Sequence, residues 1–325
     1  MRAVQITELT GPDSALSVGD VPEPEPSHLL TPGEGVVIEV EAAGVSFPEL
    51  LQTRGEYQIK PPVPFVPGSE VAGTVRSAPD SAPVAAGDRV AAFPMLGGWA
   101  EVAVAPAFLT FPLPDGFDAA QGAALILNYH TAYFALKLRG RLQAGETVLV
   151  HGAAGGVGTA ALQVARGLGA RTIGVVSTEE KERIARAAGA DEVVRSDGAW
   201  KDAVAQLGGA DVVLDPVGGD RFTDSLRSLR EEGRLVVVGF TGGSIPEVRV
   251  NRLLLNNTEV VGAGWGAYAI GKPQRNQEIG AALHRMAAEG VVAPVVGHRF
   301  PLEEAARALR VLDGRAALGK VVLEL

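Results

Sequence analysis

A chain of 325 residues has room for about two domains, since single cores rarely grow past ~250 residues. The apolar share of 46% and charged share of 21% are those of an ordinary globular protein. The net charge of −9 comes with no basic stripe, which argues against nucleic acid and anionic membranes as partners, and the absence of cysteine excludes disulfides, thiolate catalysis and the usual structural zinc site.

The N-terminal stretch MRAVQITELTGPD has no apolar signal core, and no run of about 18 apolar residues escapes a Gly, Pro or charge. A cytoplasmic protein with no membrane span is therefore expected. Short alternating apolar runs follow: GVVIEVEA from Gly35, SEVAGTV from Ser69, GDRVAAF from Gly87 and AEVAVA from Ala100. Separated by turn signals, they predict a compact barrel-like β domain. Between them, Phe47 to Glu70 (FPELLQTRGEYQIKPPVPFVPGSE) reads as a helical piece ending in a proline-punctuated loop.

From about Ala123 helical segments alternate with short β-branched strands, the texture of a parallel sheet flanked by helices. Predicted strands are Thr147–His151, Thr172–Val176, Glu192–Val194, Val212–Leu214, Leu235–Gly239 and Val260–Gly262, giving a doubly wound sheet of about six strands. After Trp265 come two helical stretches, QEIGAALHRMAAEG and LEEAARALRVLDG, and a last strand, KVVLEL. This tail is expected to return to the first domain. The predicted domains are 1–122 with 267–325, and 123–266.

HGAAGGVG carries the spacing Ala153-x-Gly155-x-x-Gly158 between a strand and a helix. It is the dinucleotide fingerprint with alanine in place of its first glycine: Gly155 lets the backbone approach a pyrophosphate, and Gly158 lets the helix pack closely on the strand. Gly155, Gly156 and Val157 are the expected pyrophosphate contacts, with free N–H groups at the helix start. An acid at the end of the second strand would select NADH by bonding the ribose 2′-hydroxyl, but the chain there reads Ser177-Thr178-Glu179-Glu180-Lys181. Ser177 can donate to a 2′-phosphate and Lys181 can add charge, so NADPH is the expected cofactor. Competing roles are a capping box between Ser177 and Glu180 and a solvated Lys181.

The motifs GVSFPELLQTRGEY, PFVPGSEVAGTV, GDRV, NYHTAY, HGAAGGVG, DPVGG, VVGFTGG, GAGWGAY and GKVVLEL together resemble the zinc-free medium-chain dehydrogenase/reductases of the quinone oxidoreductase (zeta-crystallin-like) group, nearly end to end. The resemblance implies an α/β fold: a Rossmann doubly wound parallel sheet plus a GroES-like β-barrel-type catalytic domain, with a cleft between them. Zinc alcohol dehydrogenases of the same superfamily have a cysteine in the segment equivalent to GVSFPEL and a histidine at the position of Ser69. Neither stands here. The implied chemistry is therefore metal-free hydride transfer from NADPH to a quinone or other conjugated carbonyl. Enoyl thioester or enone reduction is one alternative, and a non-catalytic NADPH-binding sensor or structural protein is another.

The resemblance also implies site residues. Tyr57 stands where related enoyl thioester reductases have their catalytic tyrosine, with packing of the loop as its other role. Ser46 replaces an asparagine common in relatives, and Thr131 matches a contact to the nicotinamide carboxamide. Asn128 and Tyr129 are expected along the same wall, Asn128 alternatively as a helix cap. Gly239, Phe240 and Thr241 match a ribose contact, Trp265 and Gly266 lie where the nicotinamide is expected, and Lys320 matches a lysine approaching the cofactor. Arg195, followed by Ser196, stands near a position where NADPH-selective relatives carry a tyrosine, and is a phosphate ligand or a surface arginine. His130 and His151 are read as structural. The partners expected are a small quinone or enone and a second copy of the chain, paired through the edge of the apolar strand TEVVGAGWG.

Overall fold

A computed structural model describes all residues, Met1–Leu325. By contacts the chain divides into two compact units: 1–127 with 269–281 and 294–325, and 128–268 with 282–293.

In the first unit, β1 (Arg2–Ile6) and β2 (Leu16–Asp20) form an antiparallel pair. β3 (Val36–Val45) leads into a short helix α1 (Phe47–Gln52), followed by β4 (Val71–Ser77), β5 (Arg89–Ala92), β6 (Val102–Ala105), β7 (Thr110–Pro112) and α2 (Ala119–Gly122). β3 buries Ile38 and Val40 while Glu39 and Glu41 face water, the period-two pattern of a strand with one wet face; before it Val36 and Val37 are both buried, Val37 in a cluster with Val102 and Val104. Beyond a bulge at Val40/Ala42 both faces are covered. At that bulge β4 supplies Gly73, where a Cβ would lie 1.9 Å from the Glu39 carbonyl oxygen, so only glycine lets the strands meet.

α3 (Ile126–Tyr133) precedes the parallel strands β8 (Thr147–His151), β9 (Arg171–Val176), β10 (Glu192–Arg195), β11 (Ala210–Asp215), β12 (Leu229–Val237) and β13 (Glu259–Gly262). Among them lie α4 (Gly156–Gly167), α5 (Glu179–Ala187), α6 (Trp200–Gln206), α7 (Phe222–Arg227) and α8 (Asn251–Asn256). The sheet order β10-β9-β8-β11-β12-β13, all parallel, is the doubly wound arrangement, with its topological switch between β8 and β11. All five residues of β8 are buried, as expected of a strand with helices on both faces.

α9 (Trp265–Ile270), α10 (Pro273–Ala288), β14 (Val296–Pro301), α11 (Ala305–Asp313) and β15 (Lys320–Glu324) complete the chain. β15 pairs with β3, and β14 with β15, so the tail closes the seven-stranded sheet of the first unit. α11 packs Ala305, Ala308 and Leu309 into the same core as Val4, Ile38 and Leu50. Part of the tail differs from the expected division: residues 282–293 pack with the second unit. There Met286 and Val291 lie against Gly167 of α4, and the Gln163 amide exchanges two hydrogen bonds with the Ala293 backbone. No helix is long and apolar enough to cross a membrane.

Candidate active site

In the second unit, β8 ends at His151 and the chain turns through Gly152, at φ +60. The Gly152 carbonyl accepts from the Gly155 N–H at 2.9 Å. A Cβ on Gly158 would lie 2.1 Å from that same carbonyl oxygen, so helix and strand approach as closely as backbone allows. A Cβ on Gly155 would meet nothing nearer than 3.5 Å, which leaves the outer face of the turn open. Gly155 is the N-cap of the 12-residue α4. The first-turn N–H groups have no acceptor within the helix and carry its positive end.

Asn128 is buried with its side-chain amide against Gly156, where a Cβ would meet Nδ2 at 2.5 Å. Thr131 follows, also buried, on the same helix α3. Tyr129 departs from the expected wall. Its hydroxyl donates to Gln163 Oε1 at 2.8 Å, tying α3 to α4, and burial pushes its phenol far above the usual range.

At the end of β9, Ser177 is exposed and its Oγ lies 3.5 Å from Lys181 Nζ. The expected capping box does not form on Ser177. Thr178 is the N-cap of α5, its Oγ1 accepting from the Lys181 N–H at 3.2 Å, so the Ser177 hydroxyl stays outside the cap. Arg195 instead donates to Glu182 Oε2 at 3.1 Å; that bond, with the one from Arg186, holds the Glu182 carboxyl below its ordinary range. Ser196 Oγ accepts from Arg221 at 3.5 Å, a guanidinium that no motif in the sequence singles out.

Beyond β12, Gly239, Phe240 and Thr241 form a loop fastened to the Asp215-Pro216-Val217 turn. Thr241 donates to the Pro216 carbonyl from both N–H (3.1 Å) and Oγ1 (3.0 Å), and Asp215 Oδ1 accepts from the N–H groups of Val217 and Gly218. Phe240 packs against Gly218 and is partly exposed. Trp265 is a core side chain, its ring centroid 5.1 Å from that of His130; the space around Gly266 is open. His151 is fully buried, edge-on to Trp200 and 2.8 Å from Ser225 Oγ. Since the Ser225 hydroxyl donates to the Arg221 carbonyl, His151 Nε2 is the donor to Ser225. Burial holds its imidazole down to about 4.

The first unit collects a different set. Ser46 begins α1, and its N–H donates to Glu49 Oε2 at 2.9 Å. Glu49 Oε1 accepts from Ser69 twice, from N–H at 2.9 Å and Oγ at 2.6 Å. Glu70 Oε2 accepts from the Leu127 N–H at 3.0 Å, while its Oε1 accepts from Ser46 Oγ at 3.2 Å and from Lys320 Nζ. Lys320, expected to approach a cofactor, has its ammonium held here by Glu70 and Ser46 and is 3% exposed. Gly44 makes room, since a Cβ there would strike the Glu70 side chain. Glu49 is wholly buried and its carboxyl is raised by desolvation, opposed by the Ser69 bond and the Lys320 charge. Tyr57 is raised by its own burial and by the negative charge of Glu49, so it remains a hydrogen-bond donor. Glu49 and Glu70 were missed in the sequence; their signal was a lone acid inside each of the apolar runs SFPELL and GSEVAG. No three His, Asp or Glu side chains converge to hold a metal ion.

Two family models match: one described as "Zinc-binding dehydrogenase" over residues 156–287 and one described as "Alcohol dehydrogenase GroES-like domain" over residues 32–115. "Quinone oxidoreductase-like protein 2" of Bos taurus is 40% identical over 297 residues, covering 89% of this chain and 85% of that protein. "Quinone oxidoreductase" of Homo sapiens is 35% identical over 99% of this chain and 97% of its own length. The chain belongs to the quinone oxidoreductase group of medium-chain dehydrogenase/reductases. Among solved structures, the quinone oxidoreductase of Thermus thermophilus, determined alone and with NADPH, is 36% identical with a TM-score of 0.84 and covers 100% of both chains. As a quinone oxidoreductase without cysteine or a metal-holding cluster, the chain is a zinc-independent enzyme of the family, whatever the name of the family model.

Proposed function

We propose that the chain is an NADPH-dependent oxidoreductase that reduces quinones and other conjugated carbonyl compounds without a metal. The observation that carries this reading is the second unit's paired site. An open glycine turn caps α4, and at the end of the adjacent strand β9 a Ser177/Lys181 pair stands where NAD-specific folds place an acid. The residues fit a phosphorylated dinucleotide. The space a Cβ would fill at Gly155 is left for the pyrophosphate, with Gly156 and Val157 as N–H donors. The Ser177 hydroxyl, outside the helix cap, is offered with Lys181 to the 2′-phosphate. Asn128, Thr131, Gly239, Phe240, Thr241 and Gly266 are proposed to orient the nicotinamide half. The buried Trp265 is proposed to support that surface indirectly; Arg195, paired with Glu182 at the end of β10 beside β9, is proposed to stand at the 2′-phosphate end with Ser196.

Bound NADPH supplies a hydride, and the chain's residues place the acceptor and stabilise the charge it gains. Tyr57, kept protonated by burial and by Glu49, is proposed to donate to the oxygen on which negative charge accumulates. We further propose a cytoplasmic homodimer. The free edge of β13 and the exposed apolar side chains Val250, Leu254 and Leu255 support pairing with a second copy, and sedimentation of the purified chain checks it.

The test is NADPH oxidation against a naphthoquinone, a short enone and crotonyl-CoA, with NADH alongside. Turnover is expected with the quinone and enone, with a strong preference for NADPH. NADPH binding without turnover on any acceptor would overturn the enzyme reading, and crotonyl-CoA as the best acceptor would make the chain a thioester reductase.

A further inference from the structure

The Lys320–Glu70 pair is a full ion pair inside the first unit, its side chains 3% and 0% exposed. Buried pairs of this kind add little net stability, and apolar replacements of similar volume are often neutral or better, so the fold alone does not account for it. Its placement beside a hydroxyl does. Lys320 Nζ donates to Ser46 Oγ at 2.5 Å, and an oxygen that accepts from a cation becomes a stronger donor of its own proton. That proton is directed at Glu70 Oε1 at a long 3.2 Å, on an oxygen already holding the ammonium, so the bond is readily exchanged for a better acceptor. Ser46 is the most exposed member of the cluster, at 8%. Its backbone is pinned by Glu49, which Ser69 pins in turn.

We propose that Lys320 is a positioning residue that polarises Ser46, whose O–H donates a hydrogen bond to the carbonyl oxygen of the conjugated substrate as hydride arrives at carbon. The inference rests on the quinone-reductase reading. The hydride brings the electron pair and forms a C–H bond at the carbon conjugated with the carbonyl, the C=C π pair moves one bond towards the carbonyl, and the C=O π pair comes to rest on oxygen; that enolate oxyanion takes its proton from solvent, and Ser46 keeps its own. Glu70 balances the charge of Lys320. The chain's ammonium thus does, through one hydroxyl, the electrophilic work for which a metal is otherwise used.

The test compares the intact protein with Ser46→Ala, with the double variant Lys320→Met/Glu70→Gln, and with the triple variant. The double variant removes both members of the ion pair, the Gln oxygen still accepts from Leu127, and Glu49 keeps its hydrogen bonds from Ser46 and Ser69, so a thermal midpoint close to that of the intact protein reports folding. Loss of one preorganised donor costs about 10²-fold in kcat; that is expected for Ser46→Ala, and about tenfold for the double variant, with KM for NADPH unchanged. The triple variant should be no slower than Ser46→Ala, because Lys320 acts only through Ser46. Losses that multiply in the triple variant, or a Ser46→Ala protein as fast as the intact one, would overturn the proposal. Lys320→Arg should keep most of the activity and serves as the conservative rescue. No turnover by the intact protein would instead overturn the quinone-reductase reading itself.

Discussion

The two units build their sites from opposite materials. In the second, the turn from His151 to Gly158 works through backbone: bare N–H groups, a missing Cβ at Gly155 and a carbonyl 2.1 Å from where a Gly158 Cβ would stand. In the first, three buried charges on Glu49, Glu70 and Lys320 fix two serine hydroxyls. A backbone site is sensitive to any added carbon and indifferent to charge. A charged cluster is the reverse. The sharpest way to break the comparison is Gly158→Val, which must push helix and strand apart; it is expected to cost about 3 kcal/mol and to abolish NADPH binding. Gly155→Ala, with only an ordinary 3.5 Å contact, should unfold at nearly the normal temperature yet bind NADPH about tenfold more weakly. Titration calorimetry with thermal denaturation separates the two outcomes.

The second unit has one buried titratable pair of its own, His151 with Asp215 nearby. Because the folded imidazole titrates at about 4 and the unfolded one at about 6.5, only the unfolded state takes up this proton between those values. Stability is full above about pH 6.5, falls as pH drops, and levels off for this group near 4, a loss on the order of 3 kcal/mol. Glu49 acts in the opposite sense: its raised carboxyl makes the native state the better proton binder above its ordinary range, so its contribution declines as pH rises. Urea midpoints for the intact protein and His151→Gln between pH 4 and 7 isolate the histidine. A variant that keeps the full acid sensitivity would show that other groups cause it.

In the charged cluster, Glu49→Gln replaces one of two acceptor oxygens with an NH2 group that must face an N–H of Ser46 or Ser69. Leaving that donor unmatched costs about 1–3 kcal/mol. Thermal denaturation is the check, and a midpoint unchanged by the substitution would mean that the carboxylate is not the pin it looks to be. Tyr57→Phe, which removes the hydroxyl and leaves the ring, should lower kcat about 10²-fold with KM for NADPH constant.

These two kinds of site also differ in how far the sequence exposes them. The parallel sheet was legible because strands covered on both faces are apolar runs, and β8 begins and ends where TVLVH does. The turn was legible because backbone approach demands glycine at fixed spacing. β12 was less so: it starts at Leu229 rather than Leu235, six residues earlier, because LREEGR lacks an apolar pattern and joins β11 only at Leu229 and Arg234, across a register shift. The charged cluster was hardly legible at all. Glu49, Glu70 and Lys320 are brought together by β3, β4 and β15 from opposite ends of the chain, and a lone acid in an apolar run reads the same whether it is paired or exposed. The helix cap at Thr178 was misplaced by one residue, since Ser and Thr both cap well and the adjacent Ser177-Thr178 pair offers two registers.

The smallest expected effect bears on the one place where the backbone site uses a side-chain charge. Lys181 lies 3.5 Å from Ser177 Oγ on the exposed first turn of α5, beside Glu179 and Glu180, which repel a phosphate. An exposed ammonium is screened by salt and worth about 0.5–1 kcal/mol to an ion partner. Lys181→Ala should therefore raise KM for NADPH only about three- to fivefold, leave kcat alone and leave NADH use untouched, because NADH lacks the group the lysine meets. The same measurement at high salt should shrink the difference, since the attraction is Coulombic. Equal losses with NADPH and NADH would mean that Lys181 supports the helix start and not the phosphate, and Ser177, whose hydroxyl the Thr178 cap leaves available, would then be the selecting residue of the pair.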